Sequence, residues 1–244
     1  MKNRRNSRGK KTTYVLLALA MVLLLGSALG STRAALAYYS ENYSAEITVN
    51  QIGVSLLENG EVVSSRNYEN DKWNETSGEL LQNMLGENEK LKLGKKYDET
   101  LSVANSGTID QYVRVRIYKY WMKEDGSTKE TSLSPDLIRL NLVNSGQWIN
   151  PNPDAEDQEC TELYYKGVLP AGSSTADFAD GIVIDSKIAK EVEVTQENNV
   201  ITTTYKYDGV QFHVDVEVDA VQTHNAQDAI RSAWGVDAAV LGML

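Results

Sequence analysis

From residue 46 onward, apolar positions recur along this chain at every second residue. The stretch "EITVNQIGVSLLENGEVVSSR" sets Ile47 and Val49, then Ile52, Val54 and Leu56, at alternate positions, the period of a strand with one face on a core. Asn59-Gly60 between such flanks predicts a two-residue hairpin, since both residues tolerate the positive φ that tight hairpin turns need. Residues 95–107 read as a further strand closed by Asn105-Ser106-Gly107. In "DQYVRVRIYKYWM", residues 110–122, Val113, Val115, Ile117 and Trp121 share one face and Arg114, Arg116, Tyr118 and Tyr120 the other, a long strand with one buried side. The pattern repeats at 136–143, 161–169 and 181–188. Asn198-Asn199 and Asp208-Gly209 then predict a three-stranded meander from Glu191 to Val221.

Two stretches, 64–78 and 145–162, are polar and aperiodic and predict long surface loops. Helical signals are few. Residues 77–85 suggest one short helix capped by Ser77. A second runs from Asn225 as N-cap through Ala226, Ala229, Ile230 and Ala233 to Gly235, with Ile230 and Trp234 turned inward. Short strands separated by turn residues predict an all-β fold, an antiparallel β-sandwich with one or two short helices.

The first 37 residues break the alternation. Lys2, Arg4, Arg5, Arg8, Lys10 and Lys11 precede an uncharged, Leu-rich run from Tyr14 to Leu29, which leads through small residues to Ala35-Leu36-Ala37. That order predicts a secretory signal, recognised through Ala35 and Ala37 and cut before Tyr38. The competing reading is an uncleaved anchor held by its flanking cations, although the run is short of the roughly 20 apolar residues of a span. The chain therefore divides into a signal segment, 1–37, and one exported domain, 38–244, with membrane contact only through an uncleaved signal.

Charge changes the picture of partners. Seven of the 24 Lys and Arg and none of the 34 Asp and Glu lie in residues 1–37, so the remaining 207 residues carry 17 cations against 34 acids, a net charge of −17. Such a surface repels phosphate backbones, which excludes nucleic acid as a natural partner. Salt or divalent cations relieve its self-repulsion. Cys160 is the only cysteine, so no intrachain disulfide staples the domain, and no cysteine follows the signal to take a lipid anchor.

Candidate chemistry is sparse. Zinc hydrolysis needs two or three ligands on a rigid element, commonly His at i and i+4 with a Glu as base. His213, on a strand, and His224, in the turn before the last helix, lack that spacing. His213 shares its strand face with Asp215, Glu217 and Asp219, which reads as a solvated acidic face or as a weak cation site. Cys160 lies in "DAEDQECTE", where negative charge raises a thiol pKa and disfavours the nucleophilic thiolate. There is no G-x-S-x-G elbow, G-x-G-x-x-G or P-loop. "VLPAGSS" departs from a wall-anchoring LPxTG signal at Gly172, and the triplets at Asn42 and Asn74 match the glycosylation pattern. The residues point to a protein that is not an enzyme and takes no cofactor or metal.

Four stretches carry a resemblance: "AALAYYSEN" at the signal junction, "LGKKYDETLSVANSGTIDQYVRVRIYKYW", "ELYYKGVLPAGSST" and "VQTHNAQDAIRSAWG". Together they resemble the TasA/camelysin group of exported proteins, whose signals are processed by the dedicated signal peptidase SipW. The resemblance implies a jelly-roll-like β-sandwich at the cell surface or in the biofilm matrix, where relatives polymerise into fibres. It further implies that the segment after the cleavage site adds as a strand to a neighbouring subunit. Here that segment is Tyr38–Gln51, with Tyr38, Tyr39, Tyr43, Ile47 and Val49 as candidate assembly residues. The same residues can instead fold back as the first strand of their own sandwich, which closes a shorter loop, and both readings stand.

The group's metallo-endopeptidase label does not carry over, because the chain has no H-E-x-x-H. The expected function is thus a structural protein that self-associates into filaments. The alternatives are a monomeric adhesin using Tyr118, Tyr120 and Trp148 on carbohydrate or protein, or, last, a metallo-endopeptidase.

Overall fold

A computed structural model describes residues 14–21, 51–197 and 200–244, and the chain divides into units 1–49 and 50–244. In the first unit the described part is α1, at 14–21, an exposed helix within the apolar run. Ala35, Ala37 and Tyr38 of the cleavage site, and Tyr39, Tyr43, Ile47 and Val49 of the candidate assembly strand, lie outside the described residues. So does the Asn198-Asn199 pair.

The second unit is made of antiparallel strands with a few short helices, in keeping with the alternation. β1 (Gly53–Glu58) and β2 (Glu61–Glu69) meet through Asn59 and Gly60, whose φ values of 52° and 85° are those the hairpin required. β3 (Lys72–Thr76), β4 (Lys96–Tyr97), β5 (Leu101–Asn105) and β6 (Gln111–Met122) follow. Then come β7 (Ile138–Leu142), β8 (Trp148–Ile149), β9 (Cys160–Tyr165) and β10 (Ala179–Ile184). The last strands are β11 (Val192–Glu197), β12 (Val200–Tyr205) and β13 (Gln211–Gln222), before the helices α2 (Ala226–Trp234) and α3 (Ala238–Leu241).

One sheet has the order β3-β2-β1-β5-β10-β4, with β7 also paired to β10, and a second has the order β13-β6-β9-β8. Their inner faces meet in one core. Val54, Leu56, Leu101 and Val103 come from the first sheet, and Val113, Val115, Ile117 and Leu163 from the second. At that face Val214, Val216, Val218 and Ala220 of β13 are only partly buried.

Several expectations are corrected by the structure. Residues 64–78 are not a loop: most of them form β2 and β3, which turn at Asn70 and Asp71 with φ of 51° and 59°. Residues 145–162 are loop for the most part, but they contain β8, and Trp148 within it is buried. No helix forms at 77–85, because Leu81 takes a left-handed φ of 65° and gives its N–H to Glu58 Oε1 at 2.8 Å rather than to a helical carbonyl. The meander from Glu191 to Val221 does not form either. β11 and β12 make a separate two-stranded sheet, whereas β13 pairs along all its residues with β6, from Gln211 opposite Met122 to Gln222 opposite Gln111. That distant partner matches β13 on both faces, Val216, Val218 and Ala220 against Ile117, Val115 and Val113 inside and Asp219 and Glu217 against Arg114 and Arg116 outside. The stretch "VITTTY" of β12 has no charge to offer.

The C-terminal piece follows its prediction in outline. Ile230 and Trp234 are buried, and Gly235 ends α2 at φ 72° with its N–H on the Arg231 carbonyl. Asn225 stands at the N-cap but is itself left-handed, φ 50°, and its side chain makes no capping bond. α3 was not anticipated; Asp237 caps it by accepting from Ala239 N and Val240 N.

Candidate functional site: a groove along the free edge of one strand

β13 gives one edge to β6, and among the described residues no strand pairs with the other. An unpaired strand edge is a row of amides and carbonyls that a further strand can complete. Beside it the side chains leave a groove. Its floor is apolar, formed by Val54 and Leu56 of β1 and by Val214, Val216, Val218 and Ala220 of β13. The far wall is the β2–β3 hairpin, contributing Ser64 to Arg66 and Glu75 to Ser77.

Three connected depressions make up the groove. The middle one has a volume of about 540 Å³ over Val216 and Val218. Toward Phe212 it widens into about 620 Å³ beside Leu80, Leu81 and Met84. Toward Ala220 it narrows to about 180 Å³ between Trp73 and Trp234. From Phe212 to Ala220 the floor is about 27 Å long at the usual rise of ~3.4 Å per residue, the length of one added strand.

Local sequence explains the walls. Alternation puts the valines of β13 inward and His213, Asp215, Glu217 and Asp219 outward, and Asn70-Asp71 lifts the hairpin beside them. The start of β1 is pinned by close backbone approach. Gly107 N and Gly53 O are 3.2 Å apart, and a Cβ on Gly107 would collide with the Gln51 carbonyl.

The outer face is a charge ladder. Arg114 Nη2 lies 2.7 Å from Asp219 Oδ2, and its Nη1 lies 3.5 Å from Glu162 Oε1. Arg116 Nη2 stands 2.7 Å from Glu217 Oε2, and on the hairpin Arg66 Nε stands 2.8 Å from Glu75 Oε1. Tyr120 donates to Asp215 at 2.7 Å; that acceptor first, then burial, pushes the phenol up to about 12. Burial first, and then Glu162, pushes Tyr164 to about 12 as well. Both phenols remain protonated donors at neutral pH.

The structure distributes the residues singled out from the sequence. His213 stacks on Tyr120, ring centres 5.3 Å apart and 12° from parallel, while His224 lies in the turn beyond β13. Among the described residues, no three His, Cys, Asp or Glu side chains converge to hold a metal ion. Cys160 is half-buried; its thiol is pushed up by that burial first and by Glu162 second, so local charge is the smaller cause. Tyr118 and Tyr120 are half-exposed, but Trp148 leaves the aromatic surface they were expected to share. It is 3% exposed, donates its indole N–H to the Ala176 carbonyl at 3.0 Å, and packs edge-on against Tyr165 and Phe178.

The hairpin wall was missed from the sequence. Its signal was present in Asn70-Asp71 between Tyr68 and Trp73, a cross-strand pair with ring centres 5.1 Å apart. Comparison with family models, curated proteins and solved structures returns no match.

Proposed function

We propose that the protein is an exported structural component of the cell surface or biofilm matrix, and that it polymerises by strand addition. On this reading residues 38–51 of one subunit lie along β13 of the next. The observation that carries it is the groove, in which a strand edge unpaired among the described residues borders an apolar floor long enough for one strand. A head-to-tail contact of this kind joins two different surfaces and does not close on itself, so it yields filaments rather than rings. The added strand would complete the second sheet, in line with a jelly-roll-like sandwich of the kind the TasA/camelysin resemblance implies. The basic and apolar order of residues 1–37 supports export, with cleavage before Tyr38 by a SipW-type peptidase.

The test is electron microscopy and light scattering of the purified chain with and without residues 38–51, beside a Val216→Glu variant whose circular dichroism matches the parent. Filaments are expected from the parent alone. Filaments from Val216→Glu would remove the groove from the reading, and monomers from every form under acid, salt and calcium would remove polymerisation.

A further inference from the structure

At its Ala220 end the groove closes into a cleft of about 180 Å³ between two indoles, Trp73 of β3 and Trp234 of α2. Each indole carries a guanidinium on one face: Arg66 is 4.5 Å from the Trp73 ring centre, and Arg114 is 5.4 Å from that of Trp234. Trp73 is 48% exposed although Tyr68 supports it, and Trp234 is supported by Tyr164, ring centres 5.9 Å apart. Val54, Val218 and Ala220 close the back. An apolar cavity of about 150 Å³ holds a benzene ring. This cleft therefore suits a single six-membered ring, and its rim is charge-balanced, since Arg114 pairs with Asp219, which also lines the cleft, and Arg66 pairs with Glu75.

We infer that the cleft is a ring-anchoring pocket for Tyr43 of a second copy of this chain, and that this anchor sets the register and direction of the added strand. The inference rests on the strand-addition reading above. In "YSAEITVN" the odd positions Tyr43, Ala45, Ile47 and Val49 are apolar, while the even positions Ser44, Glu46, Thr48 and Asn50 are polar, a strand with one apolar face. Tyr43 and Val49 are separated by the same number of residues as Ala220 and Val214. With the ring in the cleft, Ala45, Ile47 and Val49 then fall over the floor formed by Val218, Val216 and Val214.

Direction separates donation from self-insertion. A strand with Tyr43 at the Ala220 end and Val49 at the Val214 end runs antiparallel to β13. Ile52 of the same chain already lines the cleft, so a segment folding back from Gln51 brings its own Val49 to that end and runs parallel to β13. Antiparallel pairing is the more stable of the two, and only a second copy supplies it with Tyr43 in the cleft.

The experiment uses the full chain, with ¹⁵N-labelled indoles, at a concentration where light scattering reports monomer. With p-cresol as the ring probe, saturable shifts are expected at the Trp73 and Trp234 Nε1–H signals. Trp121 and Trp148, whose N–H groups are bonded to the carbonyls of Ser134 and Ala176, should not move. Trp73→Ala, at an exposed position, should abolish the shift at Trp234. A labelled peptide of residues 38–51 should bind the chain, and its Tyr43→Ala version should bind at least about tenfold more weakly, since an aromatic anchor in a desolvated pocket is worth that much or more. Absent or unsaturable p-cresol shifts, or shifts unchanged in Trp73→Ala, overturn the pocket. Equal binding of the two peptides overturns the anchor and leaves strand addition standing. A parent peptide that does not bind removes strand addition and the anchor together.

Discussion

Glu58 shows how a single residue shapes the groove. Its carboxylate accepts the Leu81 N–H at 2.8 Å, and this holds the 77–85 segment in place as the wall beside Phe212. It also faces Glu99, which is 3% exposed and bonded to the Asn59 side chain. Burial raises the Glu58 pKa above the ordinary 4.5; the Leu81 N–H opposes that and Glu99 adds to it. The folded state thus holds this proton more tightly than the unfolded chain. Its contribution to stability is complete below 4.5 and is lost as pH rises through the folded value. Glu58→Gln keeps an acceptor for Leu81 and removes the charge. Its Tm should exceed that of the parent by a margin that is smallest near pH 4 and grows toward pH 7, measured by thermal melts across that range.

Among the elements, the β2–β3 hairpin is the one composition disguised. Its residues are mostly polar, with Val62, Val63, Tyr68 and Trp73 as exceptions that do not alternate regularly, so no apolar period marked it. Register and turn hold it instead: Ser65 and Thr76 hydroxyls meet at 2.8 Å, and Arg66 pairs with Glu75. Asn70 and Asp71 both sit in the left-handed region, which costs a non-glycine residue about 1–2 kcal/mol. Asp71→Gly should therefore stabilise the fold by roughly 0.5–1 kcal/mol after the backbone entropy of glycine is subtracted, readable by urea denaturation. The 77–85 segment failed as a helix for a related reason. Its propensity was local, and a carboxylate from Glu58 outbid the helical hydrogen bond at Leu81.

For the whole molecule, charge opposes the proposed assembly. Residues 38–244 carry a net −17, and two such subunits repel over about 30 Å at 10 mM salt but over only ~8 Å at 150 mM. If filaments grow by strand addition, their initial rate in light scattering should rise between those two salt concentrations and level off beyond. A rate that falls with salt would mean that the contacts between groove and segment are chiefly ionic rather than apolar and backbone-made.

Alternation, turn pairs and a terminating glycine are properties of neighbouring residues, and these the sequence settled by itself: an antiparallel all-β unit, the Asn59-Gly60 turn, the long strand at 111–122 and the buried face of α2. Which strand lies beside which depends on contacts across a hundred residues. β13 left its neighbour β12 for β6 because Arg114 and Arg116 answer its acids and the core accepts its valines, a match visible only once both strands are in place. The groove is a consequence of that choice. Its floor, wall and cleft come from β1, β2, β3, β13 and α2, and only tertiary packing sets them side by side, with one edge of β13 unpaired among the described residues.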